Sequence, residues 1–278
     1  MIAYTTYSEA GGVGKTTLTA NLAHIHAQHD RNVLTVDLDP QQGSLTYLLD
    51  IDLPRDDPNA DNIARHLIDR PKGSLDELIH KTPYGFDVIP SHNMLENLRN
   101  LLIQAEEMAD ELGDEFSVND RLRKVLSHAG IDSAYETIII DPPATAGPHL
   151  YNAVAATRSL VIPAEPTGKG MQSVSGVEDI VDNLERQLGF EAGVLAVVPN
   201  GIGQTTDQQE YLNEIDDIGY EIPVVIRDRT SLFEGCWDER CTAIEYIETY
   251  RSQKREYELQ TVEKLEKLAT HIEEGGSA

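Results

Sequence analysis

A glycine-rich segment near the N-terminus carries residue types that bind phosphate groups. Residues 11–17 read Gly-Gly-Val-Gly-Lys-Thr-Thr, between an apolar run at 2–6 and a helix-forming run at 18–28. Glycines let the backbone turn tightly and bring several N–H groups onto one phosphate, and the positive end of the following helix strengthens that attraction. Lys15 would reach the β- and γ-phosphates of a nucleotide, and the Thr16 hydroxyl would bind Mg²⁺. The segment predicts a site for a nucleoside triphosphate with magnesium.

The strict phosphate-loop pattern, G-x-x-x-x-G-K-[ST], is not met, because its first glycine would fall at Glu9. What is met is G-G-x-G-K-T-T between a predicted strand and a predicted helix. That context separates a phosphate site from a glycine turn that is followed by Lys and Thr by chance.

Asp141 follows the four residues Thr-Ile-Ile-Ile at 137–140. An apolar run of this kind predicts a buried strand, which delivers one carboxylate to the C-terminal edge of the sheet, where open α/β sheets bind their ligands. A hard oxygen ligand suits Mg²⁺. We therefore predict that Asp141 and Thr16 form the protein side of a magnesium site.

Asp37 and Asp39 stand at the end of another predicted strand, with one residue between them. They would share a face if the strand continued through both, but Pro40 favours a turn there, so spacing does not fix their directions. Asp37 is read either as an active carboxylate or as a strand-end group that caps the following loop, and we favour the cap.

The elements that position these residues alternate along the chain. Strands are predicted at 2–6, 33–37, 86–90, 137–141, 159–163, 194–198 and 224–226. Helices are predicted at 18–28, 95–112, 120–128, 171–188, 207–218 and 261–274. The alternation predicts an α/β fold with a doubly wound, mostly parallel sheet flanked by helices. We expect a single domain over 1–278, with a surface loop or insertion at 50–61 and a flexible tail at 275–278.

Four segments give the chain a resemblance to a known family. They are the loop at 11–17 with Asn-Leu-Ala at 21–23, and the segments Val-Asp-Leu-Asp-Pro-Gln-Gln-Gly at 36–43, Phe-Asp-Val-Ile-Pro-Ser at 86–91 and Ile-Ile-Ile-Asp-Pro-Pro at 138–143. In this order they resemble the deviant Walker A ATPases of the ParA/MinD superfamily, and ParA more than MinD. The resemblance implies a P-loop NTPase fold and the cofactors ATP and Mg²⁺.

The resemblance also implies roles for individual residues. Lys15 and Asp39 would be catalytic, with Asp39 positioning the attacking water or a magnesium-bound water. Asn200 would hydrogen-bond the adenine edge, although an Asn in a Pro-Asn-Gly turn has the same appearance. The nucleotide would be bound by Gly11, Gly12, Val13, Gly14, Lys15, Thr16, Thr17 and Asn200.

One position departs from the family pattern. Relatives carry a signature lysine immediately before Gly11, which reaches the partner's phosphates across a dimer interface, and this chain has Ala10 there. Because a methyl group cannot offset the charge of a departing phosphate, we expect slow hydrolysis. Lys169 could substitute if its loop reached the interface, although a solvated loop lysine is the simpler reading.

Composition limits the classes of partner. The chain has 48 acidic and 22 basic residues, which gives a net charge of -26. We interpret this charge as the surface of a protein from a salt-loving source, and the alternative is an acidic mesophilic protein. Its two cysteines, Cys236 and Cys241, suggest neither a disulfide nor a metal cluster. With no signal-peptide pattern at the N-terminus, we expect a cytoplasmic protein.

Two functions remain open. The first is a ParA-like ATPase that cycles between monomer and ATP-bound homodimer in plasmid or chromosome partitioning, with a ParB-like or other DNA-binding partner protein. The second is a MinD-like ATPase that acts on a protein partner without binding DNA. The acidic end of the chain argues against a membrane anchor. Weak nonspecific DNA binding would need a local patch, at Arg251, Lys254 and Arg255 or at Arg121, Arg123 and Lys124.

Overall fold

The structure is a computed structural model that describes residues 1–51, 54–164, 171–203 and 220–275, without the side chains of 171–177. Within these ranges, seven strands form one sheet in the order β3-β4-β2-β5-β1-β6-β7. The strands are β1 (Ile2–Thr6), β2 (Val33–Asp37), β3 (His80–Lys81), β4 (Asp87–Ile89), β5 (Thr137–Asp141), β6 (Ser159–Ala164) and β7 (Gly193–Pro199). Only the edge strand β3 is antiparallel to its neighbour. The predicted fold class is confirmed.

Helices cover both faces of this sheet. They are α1 (Lys15–Gln28), α2 (Leu45–Leu48), α3 (Ile63–Leu67), α4 (Leu98–Leu112), α5 (Arg121–His128), α6 (Ile131–Ala134), α7 (Pro148–Thr157), α8 (Met171–Leu188), α9 (Thr230–Asp238), α10 (Ala243–Glu245) and α11 (Glu256–Gly275). The helices α1 and α11 pack together on one face, while α3, α4 and α5 close the core on the other. Strands that are covered on both faces are largely apolar, as their sequences indicated.

The predicted strand at 224–226 is wrong. This segment has no ladder of its own, although the Ile226 N–H donates to the Pro199 carbonyl (2.8 Å) and a single bridge joins Ile202 to Arg227. Pro223 lacks an N–H group, which removes one donor that a ladder would need. The segment therefore follows the edge of β7 only at isolated points.

Several element boundaries also differ from the prediction. Helix α1 begins at Lys15, one turn earlier than predicted, because Gly14 takes the left-handed conformation that starts the helix. Helix α4 begins at Leu98 after a 3₁₀ turn (Asn93–Asn97), and α11 extends over Glu256–Gly275. Helices α7 and α9 were not predicted, and residues 54–61 contain no helix or strand. The predicted helix at 207–218 lies outside the described residues.

The C-terminal helices are held against each other at a glycine. A Cβ atom at Gly235 of α9 would lie 2.2 Å from the ring of Tyr246, which begins a π-helical turn (Tyr246–Tyr250). The same helix places Leu232 and Cys236 in a buried cluster with Ile247. This close packing fixes the face of α9 that is turned toward the P-loop.

Candidate functional site

The site lies where the central strands end. Strands β2 and β5 are aligned so that Asp37 is the direct neighbour of Asp141, and the Leu38 N–H donates to the Asp141 carbonyl (3.0 Å). Strand β1 lies between β5 and β6, and the glycine-rich loop follows it. In open α/β sheets, ligands bind at the carboxyl ends of strands, where strand order reverses. The sheet therefore brings the predicted loop and carboxylates to one edge.

The glycine-rich loop has the backbone that its sequence predicts. Gly12 and Gly14 have φ of 83° and 89°. Glycine adopts this region readily because it has no side chain to clash with the backbone. A Cβ atom at Gly14 would also lie 2.6 Å from the Asn200 amide nitrogen, which donates to the Val13 carbonyl (2.8 Å). Position 14 is therefore restricted to glycine both by its backbone and by the approach of Asn200.

Lys15 is held inside the loop rather than in solvent. Its side chain is buried, and Nζ donates to the carbonyl oxygen of Ala10 (3.2 Å). Burial lowers the pKa of Lys15, while the nearby Asp141 and Asp39 carboxylates oppose that shift. The loop thus contributes a cation to the cavity wall, where an anion would sit.

Asp141 is a buried carboxylate without a hydrogen-bond partner of good geometry for either oxygen. Burial raises its pKa well above the usual value, and Asp37 adds to the rise, while Thr16 and Lys15 lower it. A buried carboxylate normally has its oxygens satisfied, so this arrangement needs an additional partner. Oxygen atoms from Asp141 and Thr16 at one edge fit Mg²⁺, which binds few protein ligands and retains several waters.

Asp37 and Asp39 have different environments, although they are two residues apart. Asp37 is fully buried and accepts hydrogen bonds from the N–H groups of Asp39 (3.0 Å) and Thr46 (2.7 Å) and from the Thr46 hydroxyl (2.6 Å). Burial raises the pKa of Asp37, and the bonds from Thr46 oppose the rise. Asp39 lines the cavity, where its carboxylate caps the N–H of Gln41 (3.0 Å). The hydrogen bonds of Asp37 are those of a strand-end carboxylate that caps the loop after β2.

The backbone of Asp39 is fixed by two side chains that the sequence did not single out. The Ser91 hydroxyl donates to the Asp39 carbonyl (2.5 Å). Arg55 donates to the Pro40 carbonyl (2.9 Å), the Gln41 carbonyl (3.1 Å) and the Ser91 hydroxyl (3.2 Å). Arg55, in a segment that we predicted only as a surface loop or insertion, therefore holds the loop that carries Asp39. Nothing in the local sequence around Arg55 indicates this long-range contact.

A cavity of about 500 Å³ opens above these residues. Its phosphate-loop side is formed by Gly11, Gly12, Gly14, Lys15, Thr16 and Thr17, with Asp39 and Asn200 also on the wall. Val13 is buried beneath the loop and Asp141 beneath the cavity floor. This volume is within the usual range for a small-molecule site. Lys169 lies outside the described residues.

The opposite wall comes from C-terminal elements that the sequence analysis did not assign to the site. Phe233 and Trp237 of α9 line the cavity with Ile226 and Leu265. The Trp237 indole N–H donates to the Thr17 hydroxyl (3.1 Å). The segment Leu-Phe-Glu-Gly at 232–235 belongs to none of the four segments that carry the family resemblance, so the sequence analysis gave no signal for this wall.

The two groups of basic residues proposed for DNA contact are largely engaged within the protein. Arg251 pairs with the buried Glu258 (2.7 Å), and Arg255 lies 3.7 Å from the same carboxylate. Arg121 pairs with Asp69, and Arg123 pairs with Asp120 (2.6 Å). Paired arginines have less charge available for a phosphate backbone. Within the described part of the chain, no helix has the length and apolar character of a membrane span.

Known proteins resemble this chain in sequence and in fold. The family model described as an AAA domain matches residues 2–190. The chromosome partitioning protein ParA of Myxococcus xanthus is 30% identical over 182 residues, which cover 65% of this chain and 58% of that protein. The match thus spans less than two thirds of that relative's length.

Two solved structures share the fold over most of the chain. McdA from Cyanothece, in its apo form, superimposes with a TM-score of 0.74 at 22% identity, and the alignment covers 99% of each chain. The septum site-determining protein MinD of Pyrococcus horikoshii, in complex with Mg-ADP, has a TM-score of 0.68 at 21% identity, with 96% and 94% of the two chains covered. With its deviant phosphate loop at the edge of this sheet, the chain belongs to the ParA/MinD superfamily of P-loop ATPases.

Proposed function

We propose that this protein binds ATP with Mg²⁺ in the cavity above the phosphate loop and hydrolyses it. The observation that carries the proposal is the buried carboxylate of Asp141, which lies near Lys15 and Thr16 without a hydrogen bond of good geometry to either oxygen. These three groups supply a cation for phosphate oxygens and two oxygen ligands for a metal. The complex of MinD with Mg-ADP, on the same fold, supports this choice of ligand.

Each residue of the loop has a separate task in this proposal. The backbone N–H groups of residues 11–17 and the positive end of α1 bind the phosphates, and Lys15 reaches the terminal ones. Thr16 and Asp141 hold Mg²⁺, which when bound neutralises part of the phosphate charge. The base occupies the apolar end, against Ile226, Phe233 and Leu265, with Asn200 at its edge.

Asp39 is the residue that we assign to the attacking water. Its carboxylate lies on the cavity wall, and its backbone is fixed by Ser91 and by the Asp37 cap. A carboxylate so positioned can orient a water molecule for in-line attack, which is mostly a matter of positioning in phosphoryl transfer. Hydrolysis is slow in this account, because Ala10 offers no cation where relatives carry the signature lysine.

Single-turnover hydrolysis tests these roles. Asp39→Ala should retain ATP and cleave it at least about tenfold more slowly, whereas Ala10→Lys should be as fast as the wild type or faster. Hydrolysis should be followed with radiolabelled ATP in molar potassium chloride, where the acidic surface is screened. If Asp39→Ala hydrolyses ATP at the wild-type rate, the water-positioning role is wrong and Asp37 becomes the candidate.

At the cellular level, we propose a partitioning ATPase that forms an ATP-dependent homodimer and works with a ParB-like or other DNA-binding protein. The similarity to the chromosome partitioning protein of Myxococcus xanthus supports this assignment. A protein partner is needed in this proposal because the chain's net charge of -26 opposes tight contact with DNA.

A second candidate is a MinD-like positioning ATPase that acts on a protein partner without touching DNA. The pairing of Arg251 with the buried Glu258 favours it, because the charge of that arginine is already offset, and Arg255 lies 3.7 Å from the same carboxylate. Fluorescence anisotropy of a labelled DNA duplex, with ATP present, separates the two. Binding that weakens with salt and is lost in Arg251→Ala would favour direct DNA contact. No binding at low salt would favour the second candidate.

A further inference from the structure

The single tryptophan of the chain is in contact with the phosphate loop. Trp237 lies on α9, more than two hundred residues from the loop in sequence, and its indole N–H donates to the Thr17 hydroxyl (3.1 Å). Both side chains line the cavity, and Thr17 is buried. This bond joins the C-terminal wall of the cavity to the first turn of α1.

The polarity of this bond determines what the Thr17 hydroxyl can do. An indole N–H group is only a donor, so the Thr17 oxygen is the acceptor. The hydroxyl has one proton and two lone pairs, so its proton stays available for another acceptor. A threonine in a first helical turn could donate that proton to the carbonyl four residues earlier. Here that carbonyl belongs to Val13 and already accepts a bond from Asn200 (2.8 Å). Because the indole donates to the Thr17 oxygen, the Thr17 hydroxyl can act as a donor to an acceptor in the cavity.

The indole ring is also held by aromatic packing. Its ring system stacks with the Tyr47 ring, with centroids 6.3 Å apart and an angle of 19° between the planes. Arg240 lies over the Tyr47 ring, 4.6 Å from its centroid, and donates to the Tyr47 carbonyl (3.0 Å). Arg240 in turn pairs with Asp50 (2.5 Å). A side chain packed in this way keeps its N–H directed at Thr17 without ligand.

We propose that Trp237 is a positioning residue for the nucleotide: it orients the Thr17 hydroxyl as a hydrogen-bond donor to a phosphate oxygen. The inference rests on the proposed nucleotide site and assigns a role to a residue outside the phosphate-loop motif. Trp237 acts through Thr17 and does not itself need to contact the phosphate. Its effect should therefore vanish when the Thr17 hydroxyl is absent, which a purely structural role of the indole would not produce.

A double-mutant cycle on ADP affinity tests this dependence. Isothermal titration calorimetry with ADP and Mg²⁺ should be carried out on the full chain in molar potassium chloride. Trp237→Phe keeps an aromatic ring for the stack with Tyr47 and removes only the donor, so we expect about threefold to tenfold weaker binding. In a Thr17→Val background the same Trp237→Phe change should have no effect on affinity. In a Thr17→Ser background, which keeps the hydroxyl, it should again weaken binding.

Two results would overturn the inference. Wild-type affinity in Trp237→Phe would show that the indole donor is irrelevant. An equal penalty in the Thr17→Val and Thr17→Ser backgrounds would show that Trp237 acts by packing alone, and thermal unfolding of each variant identifies a loss of fold. Absence of ADP binding by the wild type is a distinct outcome, because it would overturn the proposed nucleotide site itself.

Discussion

The two ends of the cavity are built in different ways. The phosphate end consists of one loop of consecutive residues, 11–17, and of two carboxylates at or just after strand ends, Asp39 and Asp141. The opposite wall consists of Ile226, Phe233, Trp237 and Leu265, which come from one irregular segment and two helices near the C-terminus. The first end depends on backbone conformation and charge. The second depends on how helices pack on the sheet.

This difference explains why the two ends should respond differently to substitution. At the phosphate end, Lys15 is the only cationic side chain of the described cavity wall, and the buried Asp141 carboxylate lies near it. At the apolar wall, several side chains share the contact area, so removal of one leaves the others in place. We therefore expect large effects at the first end and moderate ones at the second.

Lys15→Ala should have the largest effect. The substitution removes the cation that reaches the terminal phosphates, and charge-assisted contacts in a buried site are the strong ones. We expect ATP affinity to fall by at least about a hundredfold, measured with a fluorescent ATP analogue. The exposed Lys267 provides a matched control, since Lys267→Ala should bind as the wild type does. Equal affinity of Lys15→Ala and the control would show that the cavity does not bind phosphate through Lys15.

Asp37→Asn should lower stability rather than affinity. Both carboxylate oxygens of Asp37 accept hydrogen bonds from N–H groups, so either orientation of an asparagine amide places its NH₂ against a donor. We expect the free energy of unfolding to fall by about 2–3 kcal/mol, measured by guanidinium denaturation. Asp132→Asn, at an exposed carboxylate, should be neutral. Equal stability of the two variants would remove the cap role of Asp37.

Phe233→Ala should have a smaller effect, limited to the binding of the nucleotide base. The ring lines the apolar wall, so its loss should weaken binding of ATP about fivefold to tenfold. Competition by inorganic pyrophosphate, which has no base, should be unchanged. Both ligands can be measured by displacement of the fluorescent analogue. If pyrophosphate binding were weakened to the same extent, the two ends of the cavity would not act independently.

The parts of the site that could be predicted are those encoded locally. Gly12 and Gly14 require positive φ, and a run of β-branched residues before Asp141 specifies a buried strand, so motif and geometry agree. Parallel pairing then places Asp37 beside Asp141, because the two strands end together at one edge. The fold class followed from the same alternation of strands and helices.

The parts that could not be predicted depend on contacts between distant segments. Trp237 contacts Thr17 only when the C-terminal helices have packed on the sheet, and Arg55 holds the loop after Asp39 by bonds between segments that are distant in sequence. The segment at 224–226 has a strand-like composition, but isolated contacts at Pro199 and Ile202 replace a ladder. The composition of such a segment indicates that it is buried, but it does not indicate whether the segment pairs with a neighbouring strand.

A crystal structure of the wild-type protein with Mg²⁺ and a non-hydrolysable ATP analogue tests the central claim most directly. We predict that the phosphates lie against the backbone N–H groups of residues 11–17, with Lys15 at the terminal phosphate. The metal should lie about 2.1 Å from the Thr16 hydroxyl oxygen and contact Asp141 directly or through one water. Phosphates bound elsewhere, or a metal without either of these two residues, would contradict the account.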